Sequence, residues 1–179
     1  MPMRFGFLDS GLRDLCRWVR DNGFNINSVA DVGAHAGEST FIFSEEFPNA
    51  TVYGIDPWKA GYDDADPASK SQYALDVAEE AFDALVTDYS RIVKLKGTSS
   101  DFASHQGLQS VDFVYIDGCH TPDCVASDIA FWKPRAKYII AGHDFTWSPT
   151  VAGAVIKAIG QPHATFGDSS WLFRKDRMV

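Results

Sequence analysis

Basic residues are in the minority in this 179-residue chain: 16 Lys and Arg stand against 24 Asp and Glu, for a formal net charge of −8. They are scattered and build no basic face, which excludes a nucleic-acid backbone as partner, because binding phosphates needs clustered cations. Cysteine is scarce as well. Cys16, Cys119 and Cys124 are odd in number and lack C-x-x-C spacing, so they read as reduced thiols in a cytoplasm-like compartment. A structural zinc on Cys119, His120, Cys124 and His143 would match no familiar ligand frame. No apolar run reaches the roughly 18 residues that span a bilayer, and the N-terminus lacks the charged-then-apolar pattern of a signal peptide. The expectation is a cytoplasmic protein with no membrane partner. Repeats, low-complexity tracts and internal linkers are also missing, and the length suits one domain over 1–179 built on one buried core. Nothing in the sequence indicates an oligomeric state.

What is present is alternation. Apolar residues at Leu8, Leu12, Leu15, Cys16 and Val19 predict a helix over 8–22, stopped by Gly23, that packs on the sheet or lids a cofactor. Strands are predicted over 29–32, 51–55, 92–96, 111–116 and 138–141, and helices over 39–46, 72–88, 122–132 and 150–159. Ser99-Ser100-Asp101 is a capping signal that opens a short element over 99–107. Two short strands, 164–166 and 171–174, flank a Gly-Asp-Ser-Ser turn. Residues 57–71 are too polar and too broken by Gly and Pro to pack. They read as an acidic lid, or as an acceptor clamp in which Trp58 or Tyr62 stacks on a ring or sugar. Strands alternating with helices predict an α/β fold: a doubly wound, Rossmann-like, mostly parallel sheet over a core of 28–179, with an antiparallel edge.

Two stretches carry most of the chemistry. Ser28-Val-Ala-Asp-Val-Gly-Ala-His-Ala-Gly-Glu-Ser-Thr40 reads as a strand, a glycine turn and a helix start, and Thr51-Val-Tyr-Gly-Ile-Asp56 as a strand ending on an acid about 20 residues further on. Small residues let backbone amides approach a ligand, and a carboxylate at the next strand tip accepts ribose hydroxyls. That combination describes a nucleoside site, with Asp31, Gly33, Ala34, His35, Gly37, Ser39, Asp56, Pro57 and Trp58 as candidate cofactor-binding residues. A dinucleotide fold would want G-x-G-x-x-G; Gly33-Ala-His-Ala-Gly37 lacks the middle glycine, so pyrophosphate fits poorly. An ordinary strand-turn-helix would read alike without Asp56.

In parallel sheets ligands sit beyond the carboxyl ends of the strands. The fourth and fifth strands end in Ile116-Asp117-Gly-Cys-His120 and Gly142-His143-Asp144, and neighbouring strand tips lie within about 5 Å. Two carboxylates with one or two imidazoles suit a hard divalent ion with open positions, with Asp117, His143 and Asp144 as candidate ligands. Capping and ion pairing explain the same residues without a metal. Both readings stand at this point.

The glycine turn resembles motif I of class I S-adenosylmethionine-dependent methyltransferases. Ile-Asp-Gly-Cys-His-Thr-Pro-Asp-Cys-Val-Ala-Ser-Asp-Ile-Ala-Phe-Trp-Lys-Pro with Ile-Ile-Ala-Gly-His-Asp-Phe extends the resemblance, over roughly 25–147, to the small bacterial group related to catechol O-methyltransferase, macrolide-sugar O-methyltransferases and cephalosporin hydroxylase. The resemblance implies strand order 3-2-1-4-5-7-6, S-adenosylmethionine as cofactor, and magnesium or another divalent metal chelated by a small-molecule or sugar acceptor. It implies Asp117 and Asp144 as ligands, with His143 where that group has an acid or another metal-site residue, a replacement that leaves manganese and iron open beside magnesium. It also implies Asp117 and His120 as catalytic residues, with His120 as the base that takes the acceptor's proton at an ordinary pKa near 6.5. Gly97-Thr-Ser-Ser-Asp101 resembles the adenine-contacting segment and points to Ser99, Ser100 and Asp101, and Asp117 is expected to face the cofactor too. The 57–71 loop has no counterpart in catechol O-methyltransferase. Two other classes stay open: an NAD-dependent oxidoreductase, and a non-catalytic nucleoside-binding module.

Overall fold

The computed structural model describes residues 6–63 and 67–177. Its strands are β1 (Ser28–Val32), β2 (Thr51–Asp56), β3 (Ile92–Lys96), β4 (Val111–Ile116), β5 (Ala136–Gly142), β6 (Ala164–Thr165) and β7 (Trp171–Arg174). They form one sheet in the order β3-β2-β1-β4-β5-β7-β6. The first five run parallel, and β7 is antiparallel to both β5 and β6. Order and edge are those expected.

Among the described residues five α-helices cover the two faces: α1 (Phe7–Asp21), α2 (Glu38–Glu46), α3 (Gln72–Asp88), α4 (Pro122–Trp132) and α5 (Pro149–Ile159). All six residues of β4 are buried, because a central parallel strand is covered on both sides. Its alternation splits the core. Phe113 and Tyr115 join Leu12, Leu15, Phe43 and Phe82 under α1, α2 and α3, while Val114 and Ile116 join Val125, Ile129, Trp132 and Val155 under α4 and α5. Burying an aromatic or aliphatic side chain of this size contributes roughly 1.5–3 kcal/mol.

The apolar stripe of α1 packs into the first cluster, and α1 lines no part of the cavity described below, so it is a core helix and not a lid. Arg13 and Arg20 fasten it to Glu45 and Glu46 on α2. Three helix starts follow the side-chain capping rule: Ser71, Thr121 and Ser148 each accept a backbone N–H of the first turn. The short element expected over 99–107 is two 3₁₀ turns, Ser99–Phe102 and Gln106–Leu108. Part of the 57–71 stretch also orders, as a 3₁₀ turn over Pro67–Lys70; residues 64–66 lie outside the described residues. No described helix is long and apolar enough to cross a membrane.

Candidate active site

Strand register brings the strand tips into line. Val32 pairs with Ile55 on one side and Ile116 on the other, and Ile116 pairs with Gly142. Gly33, Asp56, Asp117 and His143 therefore follow one residue later, side by side. Gly33 has to be glycine here: its φ is +89°, and a Cβ would stand 2.1 Å from the Asp117 carbonyl oxygen.

A cavity of about 390 Å³ opens over these ends. Of the residues singled out from sequence, Gly33, His35, Asp56, Pro57, Ser99, Ser100, Asp117 and His120 line it. Asp31, Ala34, Gly37, Ser39 and Trp58 are buried and do not. Asp31 turns inward, accepting the hydroxyls of Ser39 (2.8 Å) and Thr40, and so fixes α2 to β1. Trp58 is 1% exposed. Its indole N–H donates to the His35 carbonyl at 2.9 Å, its ring leans on Phe82, and the Lys94 ammonium lies 5.0 Å from its centre. Trp58 is thus part of the core and no clamp, whereas Tyr62 is half-exposed and lines the cavity.

The turn after β1 is a wall and not an amide cradle. Gly33 and Ala34 N–H both donate to the Ile55 carbonyl, Gly37 N–H to the Ala34 carbonyl and His35 N–H to Asp56. The Asp56 carboxylate divides its oxygens between His35 N–H (3.0 Å) and Trp58 N–H (2.7 Å). Burial pushes its pKa up, against these two bonds. His35 and Trp58 both hold positive φ, at 45° and 44°, as does Asp144 at 62°; for side-chain-bearing residues that conformation costs of order 1–3 kcal/mol, and here it falls at three strand tips.

Several lining residues escaped the sequence reading. Cys124, Ser127, Asp128 and Phe131 form one face of α4, at i, i+3, i+4, i+7 spacing that was legible but overlooked. Asp128 accepts the Ser99 hydroxyl at 2.7 Å, and Ser99 in turn accepts the Trp132 indole N–H at 2.9 Å. Asp101 is exposed to solvent and caps its own turn through Thr98. Asp63, buried and bonded to His120, had no sequence signal beyond lying in a long loop. Among the described lining residues, four aspartates (Asp56, Asp63, Asp117, Asp128) face one lysine, Lys59, and two imidazoles, His35 and His120.

At the cavity edge the donor atoms of Asp117, His120 and Asp144 lie within 4.8 Å of one another. His120 Nε2 is 2.8 Å from Asp144 and 3.9 Å from Asp117; Nδ1 is 3.1 Å from Asp63. His143 Nδ1 reaches the same two acids from the buried side, at 3.2 Å from Asp144 and 3.7 Å from Asp117. Asp117 and Asp144 push the His120 imidazole up to about 11, outweighing its burial. This corrects the expected value near 6.5: with no cation on its carboxylates, His120 is charged at neutral pH. Burial works against the Asp144 carboxylate, yet His120 and His143 hold it well below the usual range. Two carboxylates and an imidazole are oxygen and nitrogen donors that fit a hard or borderline divalent ion.

The cysteines need a second correction. Cys119 and Cys124 are joined, with Cα atoms 5.7 Å apart, and Cys16 is buried and free. Pairing across five residues needs no C-x-x-C spacing; it follows from the turn into α4, and it removes both the thiolate frame for zinc and the reduced-thiol argument for compartment.

The cavity thus lies at the switch point of a doubly wound sheet, beyond the carboxyl ends of the strands where ligands bind in such folds. A family described as a methyltransferase domain matches residues 30–145, and the chain belongs to that family, which implies S-adenosylmethionine-dependent methyl transfer. No curated protein matches at significant similarity. Similar folds include a Klebsiella pneumoniae protein provisionally described as an O-methyltransferase, at 16% identity and TM-score 0.58 over 90% of this chain and 77% of that one. A cofactor-bound Rv0187 from MTB gives 16% identity and TM-score 0.57 over the same shares. An O-methyltransferase family protein from Burkholderia thailandensis gives 13% and 0.55 over 90% of this chain and 55% of that one.

Proposed function

We propose that this chain is a single-domain enzyme that transfers the methyl group of S-adenosylmethionine to a hydroxyl oxygen of a small-molecule or sugar acceptor. The supporting observation is the wall of four aspartates closing on Asp117, His120 and Asp144. Such a wall attracts a sulfonium and repels a pyrophosphate, and the turn N–H groups of Gly33, Ala34, His35 and Gly37 are already bonded within the protein. NAD-dependent chemistry is disfavoured on both counts.

The Asp56 carboxylate keeps lone pairs for ribose hydroxyls after accepting two N–H groups. The acceptor oxygen then sits beside Asp117 and His120, held in line with the methyl carbon; such positioning is worth up to about 7–11 kcal/mol. As the oxygen–carbon bond forms and the carbon–sulfur pair returns to sulfur, the hydroxyl proton must leave. Asp117, His120 and Asp144 converge beside that oxygen, and the proton passes to this coupled group. Asp117, His120 and Asp144 would hold a divalent ion, with His143 behind them; when bound, the ion lowers the acceptor hydroxyl's pKa and fixes its position.

Calorimetry with S-adenosylmethionine, S-adenosylhomocysteine and NAD tests the cofactor half. Binding of the first two but not NAD is expected; tight NAD binding alone would overturn the reading. Turnover on a panel of vicinal diols and sugars tests the rest, since cofactor binding without any methyl transfer would favour the non-catalytic module.

A further inference from the structure

Asp63 is a buried carboxylate at the end of a stretch, 59–62, that is otherwise exposed or partly exposed. Its side chain is 3% exposed while the neighbouring Tyr62 is half-exposed. Burying a carboxylate is costly unless it is hydrogen-bonded, and its partner is found 57 residues away. Asp63 Oδ2 accepts the His120 backbone N–H at 2.7 Å and faces the His120 Nδ1 at 3.1 Å. One carboxylate oxygen therefore grips His120 by main chain and ring together. On the far side of the ring, Nε2 faces Asp144 and Asp117.

We propose that Asp63 is the positioning residue of the site: it fixes the His120 ring so that Nε2 stays turned to Asp117 and Asp144, and it makes that geometry depend on the 57–63 segment lying against β4's end. This rests on the reading of Asp117, His120 and Asp144 as the acceptor site. A carboxylate on Nδ1–H settles which nitrogen faces the chemistry, as outer partners of ligating histidines do. Anchoring the loop does not require Asp63. Gln72 already binds Ala60 N–H and the Trp58 carbonyl, and Gly61 N–H donates to Ser69. The ring contact is what a purely structural anchor would lack.

The test compares wild type, Asp63→Asn and Asp63→Ala by three measurements: S-adenosylhomocysteine affinity by calorimetry, Mn²⁺ binding by electron paramagnetic resonance, and the ¹⁵N and ¹H signals of the His120 ring. The wild type should show a slowly exchanging Hδ1 proton, which needs no variant to observe. Asp63→Ala should lose that proton and bind Mn²⁺ about 10–100-fold more weakly. Asp63→Asn, which keeps one oxygen able to accept from both His120 N–H groups, should show an Hδ1 that exchanges faster than in wild type and a smaller loss of Mn²⁺ affinity than Asp63→Ala, since the charge-assisted bond is weakened and not removed. A rapidly exchanging Hδ1 in wild type, or unchanged ring signals and Mn²⁺ affinity in a folded variant, would overturn the proposal. Failure of wild type to bind S-adenosylhomocysteine would overturn the methyltransferase reading instead, and the ring signals would still decide the role of Asp63.

Discussion

The Asp56 carboxylate accepts the backbone N–H of His35 at 3.0 Å, so the acid that ends β2 also braces the turn that follows β1. A residue expected only to meet a ribose thus has a second role in the wall itself, and its other oxygen carries Trp58 N–H.

Asp56→Ala should therefore act twice. It removes ribose contacts, weakening S-adenosylhomocysteine binding by roughly 1.5–3 kcal/mol, and it leaves two backbone N–H groups unpaired, costing about 1–3 kcal/mol of stability. Asp56→Asn, which keeps an oxygen, should retain part of both. Calorimetry and urea unfolding measure the two losses. A variant with reduced affinity but unchanged stability would show that the brace is unimportant.

Much of this was legible before any coordinates. The alternation of apolar runs with helical spacing specifies nearly every element, since period and turn residues act locally, while the strand order was implied by the family resemblance. That Asp117, His120, His143 and Asp144 would lie close together was legible because parallel strand ends converge; that His120, expected as the base, and not His143 would group with the two acids was not. Harder to see was direction. Asp31 and Ser39 sit in the motif but face each other across β1 and α2, and Trp58 points into the core; nothing in spacing says which way a side chain at a turn of positive φ will aim. Asp63 was invisible because its partner is distant in sequence. The upward pull on His120's pKa was not legible because it depends on the two acids that the fold places beside it.

Metal removal separates cofactor from acceptor chemistry. Chelator-treated protein should bind S-adenosylhomocysteine within about threefold of untreated protein while losing turnover on hydroxylated acceptors, since the ion would serve the acceptor. Asp117→Asn should weaken Mn²⁺ binding in step with turnover. Full activity after exhaustive chelation would remove the metal from the mechanism.

Acid stability should report on Glu46. Burial raises its carboxyl pKa, but Arg20 and Arg13 outweigh that and hold it below the ordinary value. A lowered folded pKa contributes stability above the unfolded value, and that contribution is lost as pH falls through the folded value. Wild type should therefore exceed Glu46→Gln by up to about 1–2 kcal/mol at pH 7, with the gap closing below about pH 4.5. Thermal melts from pH 7 to pH 3 give the comparison, and a gap that widens on acidification would contradict the assignment.

Ser99 was expected to touch the cofactor, yet its hydroxyl is already engaged on both sides. It donates to Asp128 at 2.7 Å and accepts the Trp132 indole N–H at 2.9 Å, joining the 3₁₀ turn after β3 to α4. Ser99→Ala removes one group and strands two: a carboxylate oxygen at the cavity wall and a buried indole N–H. Leaving such groups unpaired costs about 1–3 kcal/mol, so the variant should be measurably less stable in urea. Asp128 carries an upward-shifted pKa from burial, against which the Ser99 bond works, so losing that bond should push its pKa higher still. Any loss of S-adenosylhomocysteine affinity should then grow on acidification, as Asp128 takes up a proton more readily. A loss of affinity that is the same at every pH, with stability untouched, would mean that Ser99 meets the cofactor directly.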